Sequence, residues 1–496
     1  MDGVGRRYQR KTAYTRGALG GGYLDWASQP LLFKHYRDLP TTDLPEELAP
    51  SGTTFREVFN RKVGTSKQPM DLVRLGRILH LAYGITARSG RGRDVHFFRA
   101  APSAGALYPC EIYVSVHGVD GVPDGLHHFD LARNRLCELR RGAFFGDTDG
   151  WAVVFFITAI FYRSAWKYRD RAYRYCLLDT GHLTENVVLA AVAEGAAPRV
   201  FDRFDDERVN RFLGIDPDRE ACLAAVALGS PGVLNDRRIS ELFPDFPAAL
   251  DGAALDPVQP GASVMSSSDR IPPVILQVHK ETASWREGSP GPGEALPGDP
   301  AGWESVGIPE PSHGEEDPPF AQVVWRRRSH RNFTDRGLPT EAFSLLAHGL
   351  AHGEDGFSCV FAWFLGAGVE SLETGVYLWD EAASRAILWK PGDHRTALAS
   401  ACLDQQWIRN AAVIWAFAAD LEGLEKDLGP RAYRRAMIQA GRLGQRLYLA
   451  ATALDLGACG IGAFYDDEAR SVLGLPESHH VLYVVATGPV KKMRHV

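Results

Sequence analysis

A chain of 496 residues is longer than a single hydrophobic core usually serves, so two domains are the default expectation. Its 45% hydrophobic and 23% charged residues are those of a globular protein, and a formal net charge of -6 gives no reason to expect nucleic acid as a partner. No run approaches about eighteen apolar residues, the N-terminal MDGVGRRYQRKTAYTRG lacks the apolar segment of a signal peptide, and the seven cysteines form no C-x-x-C pair. The expectation is a cytoplasmic protein with no membrane span, disulfide framework or zinc site.

In chain order, a polar lead-in over residues 1–50 precedes an early helix within 58–84, VFNRKVGTSKQPMDLVRLGRILHLAYG. A loop of small residues follows, Pro102-Ser103-Ala104-Gly105-Ala106-Leu107-Tyr108-Pro109, and then CEIYVSVHG and AVVFFITAIF, β-branched and aromatic runs typical of buried strands. WKYRDRAYRY, with Lys167 beside Tyr168, leads into a long helix, and a lysine next to a tyrosine can act as a proton-transfer pair.

Much of this pattern then recurs. Residues 171–214 align without gaps on 431–474 with 14 identities in 44 positions, and 58–84 has the layout of 323–349. Even the lead-in YQRKTAYT is echoed by VHKETASW at 278–285. The repeat divides the chain into a first copy at 1–250, a Pro/Gly-rich connector at 251–317 and a second copy at 318–496. Each copy mixes helices and strands, which predicts an α+β domain with helices packed on a sheet.

The copies differ in the residues that carry chemistry. The second opens with RRRSHR, read as lying at the start of its first helix, where Arg327, Arg328, Ser329 and Arg331 offer guanidinium forks and a hydroxyl to a phosphate. The equivalent positions of the first copy are Arg61, Lys62, Val63 and Thr65. GACGIG, Gly457 to Gly462, reads as a glycine-rich turn after the second long helix, while the first copy has APRVFD. Lys491 and Lys492 follow the last strand and could complete an anion site. The small-residue loop belongs to the first copy alone, its place in the second being taken by VFAWFLGAGVESLETGVYL. His348 and His352 are spaced as metal ligands, but no third ligand is apparent and no metal is expected.

Together PSAGALYP, R-R-S-x-R, KYRDRAYRY and LGACGIGAF resemble the SagB-type dehydrogenases of the FMN-dependent nitroreductase superfamily, over nearly the whole chain and twice. The resemblance implies two tandem nitroreductase-like α+β domains forming a pseudo-dimer within one chain, compatible with a monomer. It implies one composite FMN site. Arg327, Arg328, Ser329, Arg331, Gln445, Gly460, Ile461, Gly462, Lys491 and Lys492 would come from the second copy, and Pro102, Ser103, Ala104, Gly105 and Leu107 from the first. Lys167 and Tyr168 fall on the family's catalytic pair. The implied activity is oxidation of a thiazoline or oxazoline, in a modified peptide or on a carrier protein, to the thiazole or oxazole, with oxygen as the final acceptor and a cyclodehydratase as a candidate partner. Two alternatives stay open: an NAD(P)H-dependent reductase, and a flavin-free scaffold of a peptide-modifying complex.

Overall fold

The computed structural model describes residues 3–19, 23–46, 49, 51–66, 68–90, 95–144, 150–229, 262–266, 268–284, 303–312, 317–350 and 359–491. The first copy runs α1 (Val4–Lys11), β1 (Thr41–Asp43), α2 (Phe55–Phe59), α3 (Leu72–Tyr83), β2 (Ile85–Ser89), β3 (His96–Arg99), β4 (Cys110–His117), β5 (Gly125–Asp130), β6 (Arg135–Arg141), β7 (Ala152–Ile160), α4 (Phe161–Tyr168), α5 (Ala172–Ala193), β8 (Arg199–Phe201), α6 (Asp206–Leu213) and β9 (Glu220–Gly229). The second runs α7 (Pro273–Glu281), β10 (Ser305–Gly307), α8 (Phe320–Arg326), α9 (Thr340–His348), β11 (Phe361–Gly366), β12 (Gly375–Asp380), β13 (Arg385–Pro391), α10 (Arg395–Ala401), β14 (Val413–Asp420), α11 (Leu421–Leu428), α12 (Ala432–Ala453), β15 (Gly457–Ile461), α13 (Asp466–Leu473) and β16 (His479–Gly488).

The repeat seen in sequence is a repeat of topology. One seven-stranded sheet has the order β1-β6-β5-β4-β7-β9-β8 and the other β10-β13-β12-β11-β14-β16-β15, so each strand has a counterpart in the same place. The central strands β7 and β14 pair antiparallel on both sides and are buried almost throughout, as their apolar runs require. The 22-residue helices α5 and α12 match residue for residue, and every position of α5 is buried. The repeat also preserves helix ends. Gly214 and Gly474 close α6 and α13 with φ of 69° and 68°, the left-handed cap conformation that glycine adopts without strain.

The chain divides into two compact units that do not follow the repeat boundary. One, the first-copy unit, comprises Tyr23–Gln277 and Pro319–Trp325; the other, the second-copy unit, comprises Met1–Gly22, Val278–Pro318 and Arg326–Val496. In the second-copy unit α1 packs by its glycine: Gly5 lies so close to the Tyr433 ring that a Cβ would overlap it, and the Tyr433 hydroxyl donates to Gln9 Oε1 at 3.1 Å. The stretch read as a connector carries structure of its own: α7 lies in it, and β10 pairs with β13 as β1 pairs with β6. Residues 285–302 of that stretch lie outside the described residues.

Candidate functional site

In the first-copy unit the hairpin of β2 and β3 delivers the chain to the loop 102–109. The loop is tightly wound: Gly105, Ala106 and Tyr108 have φ of 63°, 54° and 46°. Such conformations are costly for residues with a Cβ and need fixing from outside. Ser103 Oγ donates to Asp179 Oδ2 at 2.5 Å and accepts from Tyr108 N at 2.8 Å, while Ala104 N donates to Asp179 Oδ1 at 3.3 Å. At the far end Arg163 Nη1 donates to the Tyr108 carbonyl at 3.0 Å. The Arg99 guanidinium lies 4.5 Å from the ring centres of both Tyr83 and Tyr108.

Lys167 and Tyr168 end α4, and their side chains reach this loop. A Cβ on Gly105 would stand 2.7 Å from the Tyr168 hydroxyl and 3.0 Å from Lys167 Nζ, so the close approach depends on glycine. Lys167 Nζ lies 5.4 Å from the centre of the Tyr168 ring, which packs on Tyr175 at 4.2 Å. Pro102, Ser103, Ala104, Gly105, Leu107, Lys167 and Tyr168 are therefore gathered in one place.

The second-copy unit gathers the other group around β15. Arg327 to Arg331 do not start a helix, as the sequence reading had it: α8 ends at Arg326, and the arginines run on along β15. Ser329 bridges Ala458, and His330 N donates to the Ala458 carbonyl at 2.9 Å, so pairing with a strand replaces helical hydrogen bonding. GACGIG likewise is no turn. Gly457–Ile461 is a strand whose glycines mark close approach: a Cβ at Gly457 would fall 2.9 Å from that of His330, and one at Gly460 would overlap the Tyr483 hydroxyl.

Tyr448, one turn beyond Gln445 on α12, joins the pieces. Its hydroxyl accepts from Gly460 N at 2.7 Å and meets Ser329 Oγ at 3.0 Å, and the Arg327 guanidinium stands 5.5 Å from its ring centre. Burial pushes the Tyr448 phenol up, so it remains a neutral donor. Arg331 lies 5.9 Å from the Trp407 ring centre. Lys491 N donates to the Asn332 carbonyl at 3.1 Å, bringing the chain end to the same segment. Gln445 and Ile461 are buried nearby and Gly462 follows β15, whereas Lys492 lies outside the described residues. Three guanidinium groups and a hydroxyl within five residues, against a strand of glycines, form the donor set of a phosphate monoester and fit the phosphate end of FMN.

VFAWFLGAGVESLETGVYL is not the counterpart of the small-residue loop. It forms β11 and β12, matching β4 and β5, and the loop position falls to residues 349–360, of which 351–358 lie outside the described residues with His352. His348 Nε2 meets the Ile308 carbonyl at 3.3 Å. Among the described residues no three His, Cys, Asp or Glu side chains are grouped to hold a metal, and no helix is long and apolar enough to cross a membrane. Asp179, Arg163 and Tyr448 were not singled out from sequence. Asp179 shares α5 with a second acid, Glu185, and with Arg174 and His182, so nothing in the sequence set it apart.

Two antiparallel seven-stranded sheets, each with a buried 22-residue helix, define a duplicated α+β protein with the nitroreductase fold. A protein of Anabaena variabilis described as a nitroreductase superposes on 99% of this chain and 100% of its own, with a TM-score of 0.79 and 26% identity. A protein of Methanocaldococcus jannaschii described as a nitroreductase is 33% identical over 157 residues, 30% of this chain and 76% of its own length. The trifolitoxin-processing protein TfxB of Rhizobium leguminosarum bv. trifolii is 30% identical over 145 residues, and the microcin B17-processing protein McbC of Escherichia coli is 30% identical over 135. These matches cover 26% and 24% of this chain but 39% of TfxB and 49% of McbC, so the chain spans less than half of either processing protein. The model of the nitroreductase family matches residues 66–230 and 369–489, once in each copy and over more than half of the chain. The chain belongs to the nitroreductase family, whose members are in general flavin oxidoreductases.

Proposed function

We propose that the chain is an FMN-dependent azoline oxidase of peptide natural product biosynthesis, with one flavin held by the arginine-glycine group of the second-copy unit and the Pro102–Leu107 loop of the first. One observation carries the reading: the arginine-serine and glycine motifs occur in the second copy alone and the small-residue loop in the first alone, a complementary pattern that independent decay of two redundant sites would not favour. The likeness to TfxB and McbC, which process trifolitoxin and microcin B17, supports a modified peptide as substrate. A cyclodehydratase that makes the azoline is the expected partner.

FMN, when bound, supplies the acceptor for a hydride. Oxidation of an azoline breaks two neighbouring C–H bonds, one lost as hydride and the other as a proton, and leaves a new ring double bond. Arg327, Arg328, Arg331 and Ser329 would hold the phosphate, and the loop at Ser103 to Leu107 would help hold the ring. Lys167 and Tyr168 would assist removal of the proton. The relatives described as nitroreductases support a second reading, in which NAD(P)H is the donor and a nitro or quinone compound is reduced.

The test is flavin content per chain in the wild type and in Arg331→Ala and Ser103→Tyr as separate variants. The expected result is about one FMN per chain, lost in both variants. Two per chain would overturn the single site, and none after reconstitution would overturn the flavin. Anaerobic bleaching by NADPH without any azoline oxidation would favour the reductase.

A further inference from the structure

We propose that Asp179 is the positioning residue of the first-copy unit's loop: its two carboxyl oxygens fix Ser103 and Ala104 and so hold Gly105 against Lys167 and Tyr168. The functional meaning rests on the reading above; the loop assignment itself does not.

Asp179 sits within α5, 6% exposed, and its hydrogen-bond partners among the described residues are Ser103 and Ala104. A buried carboxyl is expensive unless something repays it. The repeat supplies the comparison. The equivalent residue of α12 is Gln439, whose amide oxygen accepts from Cys359 N at 2.6 Å just ahead of β11. An uncharged amide therefore suffices to hold one backbone donor at this place in the fold. The carboxyl adds a second bond, to Ser103, which in turn holds Tyr108 N, so that Asp179 and Ser103 together span the three left-handed residues of the loop.

The carboxyl also adds a proton that can leave. Burial pushes Asp179 up to about 7, against the opposing hydrogen bonds from Ser103 and Ala104. In the neutral form Oδ2–H can donate to Ser103 Oγ while Oδ1 still accepts from Ala104 N, so both bonds survive without a buried charge. Ionisation favours water, and water reaches Asp179 when the loop lifts. The titratable groups around it are the Cys110 thiol of β4 and the Cys176 thiol one turn earlier on α5, with Lys167 and Tyr168 beyond Gly105. The loop is thus held most firmly below the ordinary carboxylate value of 3.8 and loosens as pH rises towards and through 7.

Hydrogen exchange of the full-length protein, read on peptides covering 99–110 from about pH 4 to 8.5 and corrected for intrinsic rates, tests this. Asp179→Asn mimics the neutral acid, Asp179→Ala removes both bonds and Ser103→Ala removes one. Wild-type protection is expected to fall by up to about tenfold per pH unit between about pH 4 and 7 and to level off above that, to stay level with pH in Asp179→Asn, and to be low at every pH in Asp179→Ala. Ser103→Ala is expected between the last two. The same pH dependence in Asp179→Asn, or undiminished protection in the Ala variants, would overturn the assignment. Should Asp179→Ala fail to fold, the Asn and Ser103 variants decide it. FMN measured on the same samples separates the two claims: a wild type without flavin but with a pH-linked loop overturns the proposed function alone.

Discussion

At Gly105 the backbone conformation and the surroundings make the same demand. Its φ of 63° disfavours any side chain, and a Cβ would press on Lys167 and Tyr168. Gly105→Ala is expected to cost about 1–3 kcal/mol of stability and to displace one of those side chains, read by urea unfolding and by lost flavin. Asp179 makes a second prediction, with a definite sign. Its folded-state value of about 7 lies above the ordinary 3.8, so its contribution is complete below 3.8 and is lost as pH rises towards and through 7. Asp179→Asn, neutral at every pH, should match the wild type near pH 4 and exceed it at pH 8 by a few kcal/mol, the gap opening at about 1.4 kcal/mol per pH unit. A gap that closes on going to pH 8 would refute the neutral, buried carboxyl.

The strands of the first copy carry a polar network in which two members, Glu111 and Tyr113, have the apolar counterparts Phe361 and Trp363 in the second. Arg163 pairs with Glu111 at 2.6 Å, His128 Nε2 meets Glu111 at 3.0 Å, and Lys34 Nζ donates to Glu220 and to the Tyr113 hydroxyl at 2.6 Å each. The register gives the counterparts: Glu111 lies opposite Thr158 as Phe361 lies opposite Ala418, and Tyr113 opposite Phe156 as Trp363 opposite Ala416. Burial raises the Glu111 carboxyl, but Arg163 and His128 outweigh it and hold it near about 2. That contribution is present above 4.5 and is lost as pH falls towards 2, opposite in sense to that of Asp179. Arg163→Met should cost about 3–5 kcal/mol by stranding Glu111, and adding Glu111→Leu should recover much of it, as measured by chemical unfolding. The repeat, the sheet class and the small-residue loop were legible in sequence because identities and apolar runs survive duplication. The network was not, since paired buried charges look like surface charges until register puts them on one face. The path of Arg327–Arg331 was hidden for a similar reason: only β15, more than a hundred residues later, offers the pairing that ends α8 at Arg326.

On the scale of the whole chain, the units interleave the copies. Removing residues 1–22 should weaken the second-copy unit and spare the first, because Tyr8 and Gln9 pack on Tyr433 of α12 and Tyr14 N donates to Asp466 at 3.0 Å. Proteolysis or hydrogen exchange that reports faster opening of α12, with α5 unchanged, is the expected result; equal loosening of both helices would count against this division. The interleaving also bears on synthesis. On the ribosome α1 emerges with the partner helix it needs not yet made, and must wait while Tyr23–Gln277 and then the rest are translated. At ordinary elongation rates the first of these gaps alone lasts roughly ten to fifty seconds. Neither unit closes until late in translation, since the first-copy unit takes in Pro319–Trp325. A protein whose two copies stand end to end thus cannot be completed one half at a time, and its nascent chain carries the basic helix α1 unpartnered until α12 is made.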